Sequence, residues 1–228
     1  GSEMCIRDRS GGAFKNNYSI LFDGTNDYVA VASSADFAFG TGDFTFSAWI
    51  YPTNISDGYD VILTFGNPAG EATPYFAIKD SKLEFYLSGV YTSDADYITI
   101  NQWQHTAVTR TSGTVQLYLD GVALGSTSSQ TTSIPQALAT IGAYVPSGTG
   151  HYFHGNIDEV AVFNVSLSAA TIKRIYGGGI PTDLVGYNGL KGYWRFQEGG
   201  GAIANDLSGK GNTGTLTNSP AWSGNVPG

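Results

Sequence analysis

Short strand-like segments separated by turn residues make up most of this chain, and one segment has helical periodicity. The clearest strand covers Asp43–Tyr51, where apolar residues recur with the period of two that a strand requires. Similar segments follow at short spacing as far as Asn164. The helical segment is Ser168–Tyr176, with Ser166 or Ser168 available as its N-cap. The pattern predicts an all-β sandwich or jelly roll rather than a parallel sheet.

Composition restricts the classes of function open to the chain. Hydrophobic residues make up 41% of the 228 residues, which is enough for a core. The formal net charge is −8 and no cluster of Lys or Arg offsets it, so we expect no nucleic-acid partner. No apolar run approaches the ~18–20 residues that span a bilayer, so we expect no membrane insertion.

The first nine residues differ in character from the rest. Residues 1–9, GSEMCIRDR, resemble the in-frame translation of a sequencing adapter, and a native polar leader is the alternative. The single Cys and the single Met of the chain both fall inside this adapter-like segment. If the segment is not native, the natural chain has no thiol chemistry to consider. We therefore expect the natural N-terminus to lie upstream and the main domain to cover residues 10–178.

Three motifs occur in a defined order. Phe22-Asp23-Gly24 comes first, the Trp103–Arg110 and Val115–Gly121 pair follows, and Gly155–Val160 leads into the helical segment. In this order they resemble the laminin-G-like jelly rolls of the concanavalin A-like lectin/glucanase superfamily, over residues ~17–177. The resemblance implies an all-β fold, an antiparallel two-sheet jelly-roll sandwich with one short helix near the end of the main domain. It also implies a binding module rather than an enzyme.

Residues 179–228, which follow the helical segment, differ in composition and pattern from the segments before it. It contains a predicted strand at Leu190–Phe196 and a Gly-rich stretch that continues to Leu216. In the family that the motifs resemble, such a segment normally precedes the Phe-Asp-Gly strand. Residues 179–228 therefore either form a strand pair that completes the jelly roll, or begin a second, truncated repeat. Completion is favoured because the main domain otherwise leaves an open sheet edge.

Calcium is the metal that the acidic residues fit best. Hard divalent cations take several carboxylate and carbonyl oxygens on a flexible loop, and Asp206–Asn212 offers such oxygens between glycines. Asp158 interrupts an apolar strand, where an unpaired carboxylate is costly. Because members of the resembled family often hold a structural calcium near these motifs, the expected ligands are Asp158, Asp206, Asn212 and Asp23. The alternative is that Asp23 and Asp206 bond backbone amides in turns.

Aromatic residues near loops mark a second candidate site. Sugar rings stack on exposed aromatic rings, and residues 144–154 concentrate aromatic and imidazole groups among small residues. A second rim is predicted where Asp94 and Asp96 lie between two tyrosines. The predicted glycan-binding residues are Tyr144, His151, Tyr152 and Tyr91. The alternative is that these are ordinary tyrosines of a sandwich surface.

Catalysis finds little support in the sequence. The Glu-x-Asp-x-x-Glu carboxylates of the superfamily's glucanases are absent. Asp158 and Glu159 are adjacent, so in a regular strand their side chains would point to opposite faces. His105, His151 and His154 show no Ser or Cys arrangement that suggests a triad. We therefore expect no enzyme activity and no zinc site.

These interpretations combine into a noncatalytic module that binds a glycan or a cell-surface polymer, within a larger extracellular, cell-surface or virion protein. Tyr176–Leu184 and Tyr193–Phe196 are similar to laminin-G-like modules of environmental phage structural proteins. Two alternatives stay open: a structural spacer or virion decoration domain without a ligand, and a substrate-holding module attached to an upstream enzyme. Neighbouring repeats in the same chain are a further expected partner.

Overall fold

Strands account for most of the regular structure. In a computed structural model, the structure describes residues 15–55, 58–66, 74–93, 97–144 and 151–228. The first nine strands are β1 (Ser19–Asp23), β2 (Tyr28–Ser34), β3 (Phe44–Pro52), β4 (Tyr59–Gly66), β5 (Tyr75–Lys79), β6 (Lys82–Tyr86), β7 (Val90–Thr92), β8 (Gln104–Thr111) and β9 (Thr114–Leu119). The remaining elements are β10 (Val122–Ser129), β11 (Ala137–Ile141), β12 (Ala143–Tyr144), β13 (His151–Tyr152), β14 (His154–Phe163), helix α1 (Ala169–Tyr176), β15 (Leu190–Trp194), β16 (Ile203–Ala204), β17 (Gly214–Thr217) and β18 (Ala221–Ser223). A 3₁₀ turn at Ala35–Phe37 follows β2.

Two antiparallel sheets carry the fold. The first has the strand order β10-β9-β8-β3-β14-β1-β18, with β15 also paired to β14. The second has the order β16-β17-β2-β11-β4-β5-β6-β7, and β12 with β13 forms a separate two-stranded ribbon. The prediction of an all-β, antiparallel two-sheet jelly roll with one short helix is confirmed.

Aromatic rings fill the space between the two sheets. The rings of Phe44 and Phe46 stack with their centroids 4.4 Å apart, and Phe65 from the second sheet meets Phe46 at 4.7 Å. All three side chains are buried, as the alternation in Asp43–Tyr51 predicts for one face of β3. Burial of rings of this size supplies much of the hydrophobic stabilisation of a sandwich.

Helix α1 covers the outer face of the first sheet. Ser168 is its N-cap and accepts a hydrogen bond from the backbone N–H of Thr171, and Gly177 ends the helix in the left-handed conformation. Ile172 and Ile175 are buried against the sheet. In the described ranges, no helix has the length and apolarity needed to cross a membrane.

The segment after α1 contributes strands to both sheets. β15 pairs with β14 and β18 pairs with β1 in the first sheet, whereas β17 pairs with β2 in the second. The Trp194 side chain of β15 is fully buried in the main core, 6.4 Å from the ring of Phe37. These pairings place residues 190–223 inside the sandwich that the earlier strands build. Residues 1–9 lie outside the described residues.

A β-bulge in β14 changes the orientation of its acidic pair. The register with β3 shifts between Asp158 and Ala161, and Glu159 has a positive φ of 49°. Ile157 and Val160 both pack into the main core, so the two acidic residues between them lie together on the outer face. The expectation that Asp158 and Glu159 point to opposite faces is therefore wrong, because it assumed a regular strand.

Candidate functional site

Five aromatic side chains meet on the outer face of the second sheet. We name them the tyrosine patch: Tyr59, Tyr75, Tyr86, Tyr144 and His151. The rings of Tyr75 and Tyr86 stack at 5.1 Å, and Tyr59 and Tyr144 stand nearly perpendicular to Tyr75 at 6.0 and 5.8 Å. The imidazole of His151 lies 5.0 Å from the Tyr59 ring and 6.3 Å from the Tyr144 ring. Each of the five residues is half-buried, so each still presents surface to solvent.

Strand register explains why these residues meet. Tyr75 and Tyr86 are direct partners in the β5–β6 hairpin, and the next pair, Phe76 and Phe85, points into the core. The alternation of side chains along a strand therefore places the tyrosines outward wherever the phenylalanines face inward. The β12–β13 ribbon pairs Tyr144 with His151 and brings both to the same surface.

A buried carboxylate fixes the centre of the tyrosine patch. The Tyr75 hydroxyl donates a hydrogen bond of 2.8 Å to Oε1 of Glu84, whose side chain is 1% exposed. Burial and this acidic neighbour raise the pKa of Tyr75 well above its usual range, so the phenol stays protonated. Aromatic rings that are fixed in place provide the stacking surface that a sugar requires, and the hydroxyl and imidazole groups beside them provide hydrogen bonds.

The structure separates the four predicted glycan-binding residues. Tyr144 and His151 are in the tyrosine patch, and Tyr152 is half-buried next to them, opposite Ala143 on the ribbon. Tyr91 packs in the core at 8% exposure, and its hydroxyl donates to the backbone carbonyl of Ser126. Its ring therefore offers little surface to a ligand. The predicted rim residues Asp94 and Asp96 lie outside the described residues, as does 145–150.

Three members of the tyrosine patch were missed by sequence reasoning. Tyr59, Tyr75 and Tyr86 sit at the ends of strands whose other residues are mostly apolar. Their alternation with buried phenylalanines in β5 and β6 is visible in the sequence and could have identified an outward aromatic row. The proximity of β4, β5 and the β12–β13 ribbon is a feature of the tertiary structure, and local periodicity in the sequence does not predict it.

Asp206 organises a loop through four hydrogen bonds. Its Oδ1 accepts from the backbone N–H groups of Tyr193 (3.0 Å) and Ser208 (2.8 Å). Its Oδ2 accepts from the Ser208 hydroxyl and from the backbone N–H of Asn212, both at 2.8 Å. The Asn212 side chain donates in turn to the backbone carbonyl of Lys191 at 2.8 Å. These contacts are those of a residue that bonds local backbone amides.

The other predicted metal ligands lie in separate environments. Asp23 borders a cleft of about 370 Å³ with Asp27 and His154, and its Oδ1 accepts the backbone N–H of Thr25 at 2.8 Å. Asp158 is fully buried in β14. Within the described ranges, no group of three or more His, Cys, Asp or Glu side chains is arranged to hold a metal ion. The calcium site stays a prediction.

Asp158 and Glu159 belong to a buried network that joins β14 to β15. Asp158 accepts hydrogen bonds from the Asn16 amide and from the Glu159 backbone N–H, both at 2.8 Å. Glu159 pairs with the Arg195 guanidinium at 3.1 Å and accepts from the Tyr193 hydroxyl. Burial raises the pKa of both carboxyls. The two acids share a face, but at 0% and 3% exposure they cannot reach a substrate.

A serine and a histidine meet beneath α1. The Ser47 hydroxyl and Nε2 of His105 lie 2.8 Å apart, a pairing that links residues 58 positions apart in the chain. His105 is fully buried between Trp49 and Tyr176, and its Nδ1 has no partner among the described residues. Burial lowers the pKa of His105 to about 3. Because the pair is sealed and lacks a third group to orient the imidazole, it does not form a triad.

Comparison with protein families identifies the superfamily of the chain. The sequence profile of the concanavalin A-like lectin/glucanases superfamily matches residues 23–173, about two thirds of the chain. A comparison with curated proteins found no match.

Solved structures of similar fold include carbohydrate-binding domains. A proposed carbohydrate-binding protein from Bacteroides ovatus is 20% identical to this chain, with a TM-score of 0.74. The alignment covers 95% of this chain and 62% of that protein. The carbohydrate-binding module of a Ruminococcus gnavus sialidase, solved with α2,3-sialyllactose, is 12% identical with a TM-score of 0.56 over 70% of this chain and 98% of that one. A Trypanosoma rangeli sialidase matches at 15% identity and a TM-score of 0.56, over 72% of this chain and 28% of that one. At these identities the likeness shows the fold alone.

Proposed function

The chain belongs to the concanavalin A-like lectin/glucanases superfamily, and we propose that it is a noncatalytic module whose tyrosine patch binds glycans. The observation that carries the proposal is the convergence of Tyr59, Tyr75, Tyr86, Tyr144 and His151 on one solvent-facing surface. Carbohydrate-binding proteins of the same fold, from Bacteroides ovatus and Ruminococcus gnavus, support it.

A noncatalytic role follows from where the reactive groups lie. The acidic pair of β14 and the Ser47–His105 pair are buried, so neither can act on a polysaccharide chain. The tyrosine patch contains one imidazole, and the carboxylate of Glu84 beneath it is 1% exposed, so it does not offer the pair of accessible carboxyl groups that glycoside hydrolysis uses. We place the module in an extracellular, cell-surface or virion protein, where glycans and surface polymers are the available ligands.

We expect the Tyr75→Ala and Tyr86→Ala variants to bind a glycan about tenfold more weakly than the parent protein, because each removes half of the stacked pair. A glycan array of residues 10–228 identifies the ligand, and titration calorimetry then gives the affinities.

The matched control for these variants is Tyr18→Ala. Tyr18 is 39% exposed and precedes β1, so the variant removes a surface ring outside the tyrosine patch. Equal affinity of all four proteins for the glycan would exclude the tyrosine patch as the site. A folded parent protein that binds nothing on the array would contradict the proposed function and favour the structural spacer.

Calcium is proposed as a structural ion of this module. If Asp206, Asn212, Asp158 or Asp23 ligates it, calcium at tenfold above its Kd stabilises the fold by about 1.4 kcal/mol. For a chain of this length that raises the Tm by about 3–5 °C. Thermal unfolding in calcium and in EDTA measures the difference, with magnesium as the control ion. Identical Tm values in calcium and EDTA would contradict a structural calcium.

A further inference from the structure

A lysine stands at the edge of the tyrosine patch. Lys79 is the direct partner of Tyr59 between β4 and β5, and its Nζ lies 4.6 Å from the centroid of the Tyr59 ring. Every second side chain of a strand lies on the same face. Lys79 and Tyr75 are four residues apart, so they project from the same side of β5. Lys79 is half-buried, so its side chain is partly accessible to solvent beside the Tyr59 ring.

Among the described residues, the tip of the β5–β6 hairpin carries two lysines and one exposed aspartate, although the whole chain carries −8. Lys82 is the strand partner of Lys79 at the end of the β5–β6 hairpin, which places a second lysine beside the first. Glu84 lies beneath the rings at 1% exposure, with one oxygen on the Tyr75 hydroxyl, and does not line the surface. The exposed carboxylate of this turn is that of Asp80, which follows Lys79 in the chain.

We propose that the tyrosine patch selects acidic glycans, with Lys79 as the residue that pairs with the sugar carboxylate. This inference rests on the proposed glycan-binding function and adds the class of ligand. A pyranose ring on the tyrosines leaves its carboxylate within reach of the Lys79 ammonium. A carboxylate and an ammonium group form a charge-assisted hydrogen bond, which a neutral sugar cannot make. The net charge of −8 repels anions at a distance, so selection depends on this local contact.

The test uses pairs of glycans that differ only in charge. Oligogalacturonate, oligoglucuronate and a sialylated oligosaccharide are each compared with the methyl ester of the same compound, by titration against the intact chain. We expect at least one acid to bind three- to fivefold more tightly than its ester, and 0.5 M NaCl to remove that preference. The Lys79→Gln variant should bind the acid and the ester equally.

Lys210→Gln is the control, because it removes one positive charge from the loop before β17, near the opposite edge of the second sheet. It should keep the preference for the acid. If the tyrosine patch binds acids and esters equally, or only neutral glycans, the acidic class is wrong while the glycan-binding function stands. If the folded protein binds no acid, no ester and no neutral glycan, the proposed function fails together with this inference.

Discussion

Replacing Trp194 with alanine is expected to lower the free energy of unfolding by about 3–5 kcal/mol. The indole is fully buried, packs 6.4 Å from the Phe37 ring, and donates its N–H to the backbone carbonyl of Asn212 at 2.9 Å. The substitution leaves a large cavity and an unpaired buried carbonyl, and each adds to the loss. Chemical denaturation monitored by circular dichroism gives the free energy directly.

The expected loss also measures how residues 190–223 relate to the rest of the chain. If β15 belongs to the sandwich, Trp194→Ala destabilises one cooperative transition that includes the β3–β8 core. Trp103→Ala is the control, since Trp103 is half-buried and its indole N–H bonds the Asn225 side chain near the surface. Trp103→Ala should lower the free energy of unfolding by less than half as much as Trp194→Ala. A Trp194→Ala variant as stable as the parent would mean that this segment forms no part of the core.

Local sequence carries enough information for most elements of the fold. The recurrence of Phe44, Phe46, Ala48 and Ile50 at every second position specifies which side chains of β3 face the main core, because successive side chains of a strand point to opposite faces. Ser168 and Gly177 mark the two ends of α1 through capping geometry that involves only a few neighbouring residues. Such features are readable because the atoms that interact are close in the chain.

The candidate site depends on contacts that local patterns do not contain. Tyr59 and Tyr75 come from β4 and β5 of the second sheet and Tyr144 from the separate β12–β13 ribbon, and only the tertiary arrangement of these strands makes them neighbours. The bulge at Glu159 is equally hidden, because a single residue with positive φ reverses the face that periodicity assigns to it. Both features arise from packing between distant segments.

Oxygen-rich loops show a further limit of sequence reasoning. Asp206 through Asn212 has the composition of a cation site, yet both oxygens of Asp206 already accept two hydrogen bonds each, three from the loop itself and one from the backbone N–H of Tyr193 in β15. Carboxylates that bind cations and carboxylates that cap turns use the same atoms and occur between the same small residues. Only the direction of the surrounding N–H groups separates the two roles, and sequence does not record that direction.

Acidification from pH 7.5 to 5.0 is expected to cost the protein roughly 2 kcal/mol of folding free energy through His105 alone. Burial holds the pKa of His105 at about 3, below the ordinary 6.5 of histidine. At pH 5 the unfolded chain therefore binds a proton at His105 that the folded chain does not. Stability supplied by a lowered pKa is present above the unfolded pKa and is lost as the pH falls toward the folded one.

Asp158 and Glu159 act in the opposite direction and must be separated from His105. Their pKa values are raised by burial, so their contribution to stability grows as the pH falls. The informative quantity is therefore the difference between the parent and His105→Gln, in which an amide can still bond Ser47 while the titrating group is gone. Free energies of unfolding at pH 7.5 and 5.0 should show the parent losing about 2 kcal/mol more than the variant. Parallel pH profiles for the parent and His105→Gln would mean that the imidazole is not sealed beneath α1, because only exclusion from water keeps it neutral at pH 5.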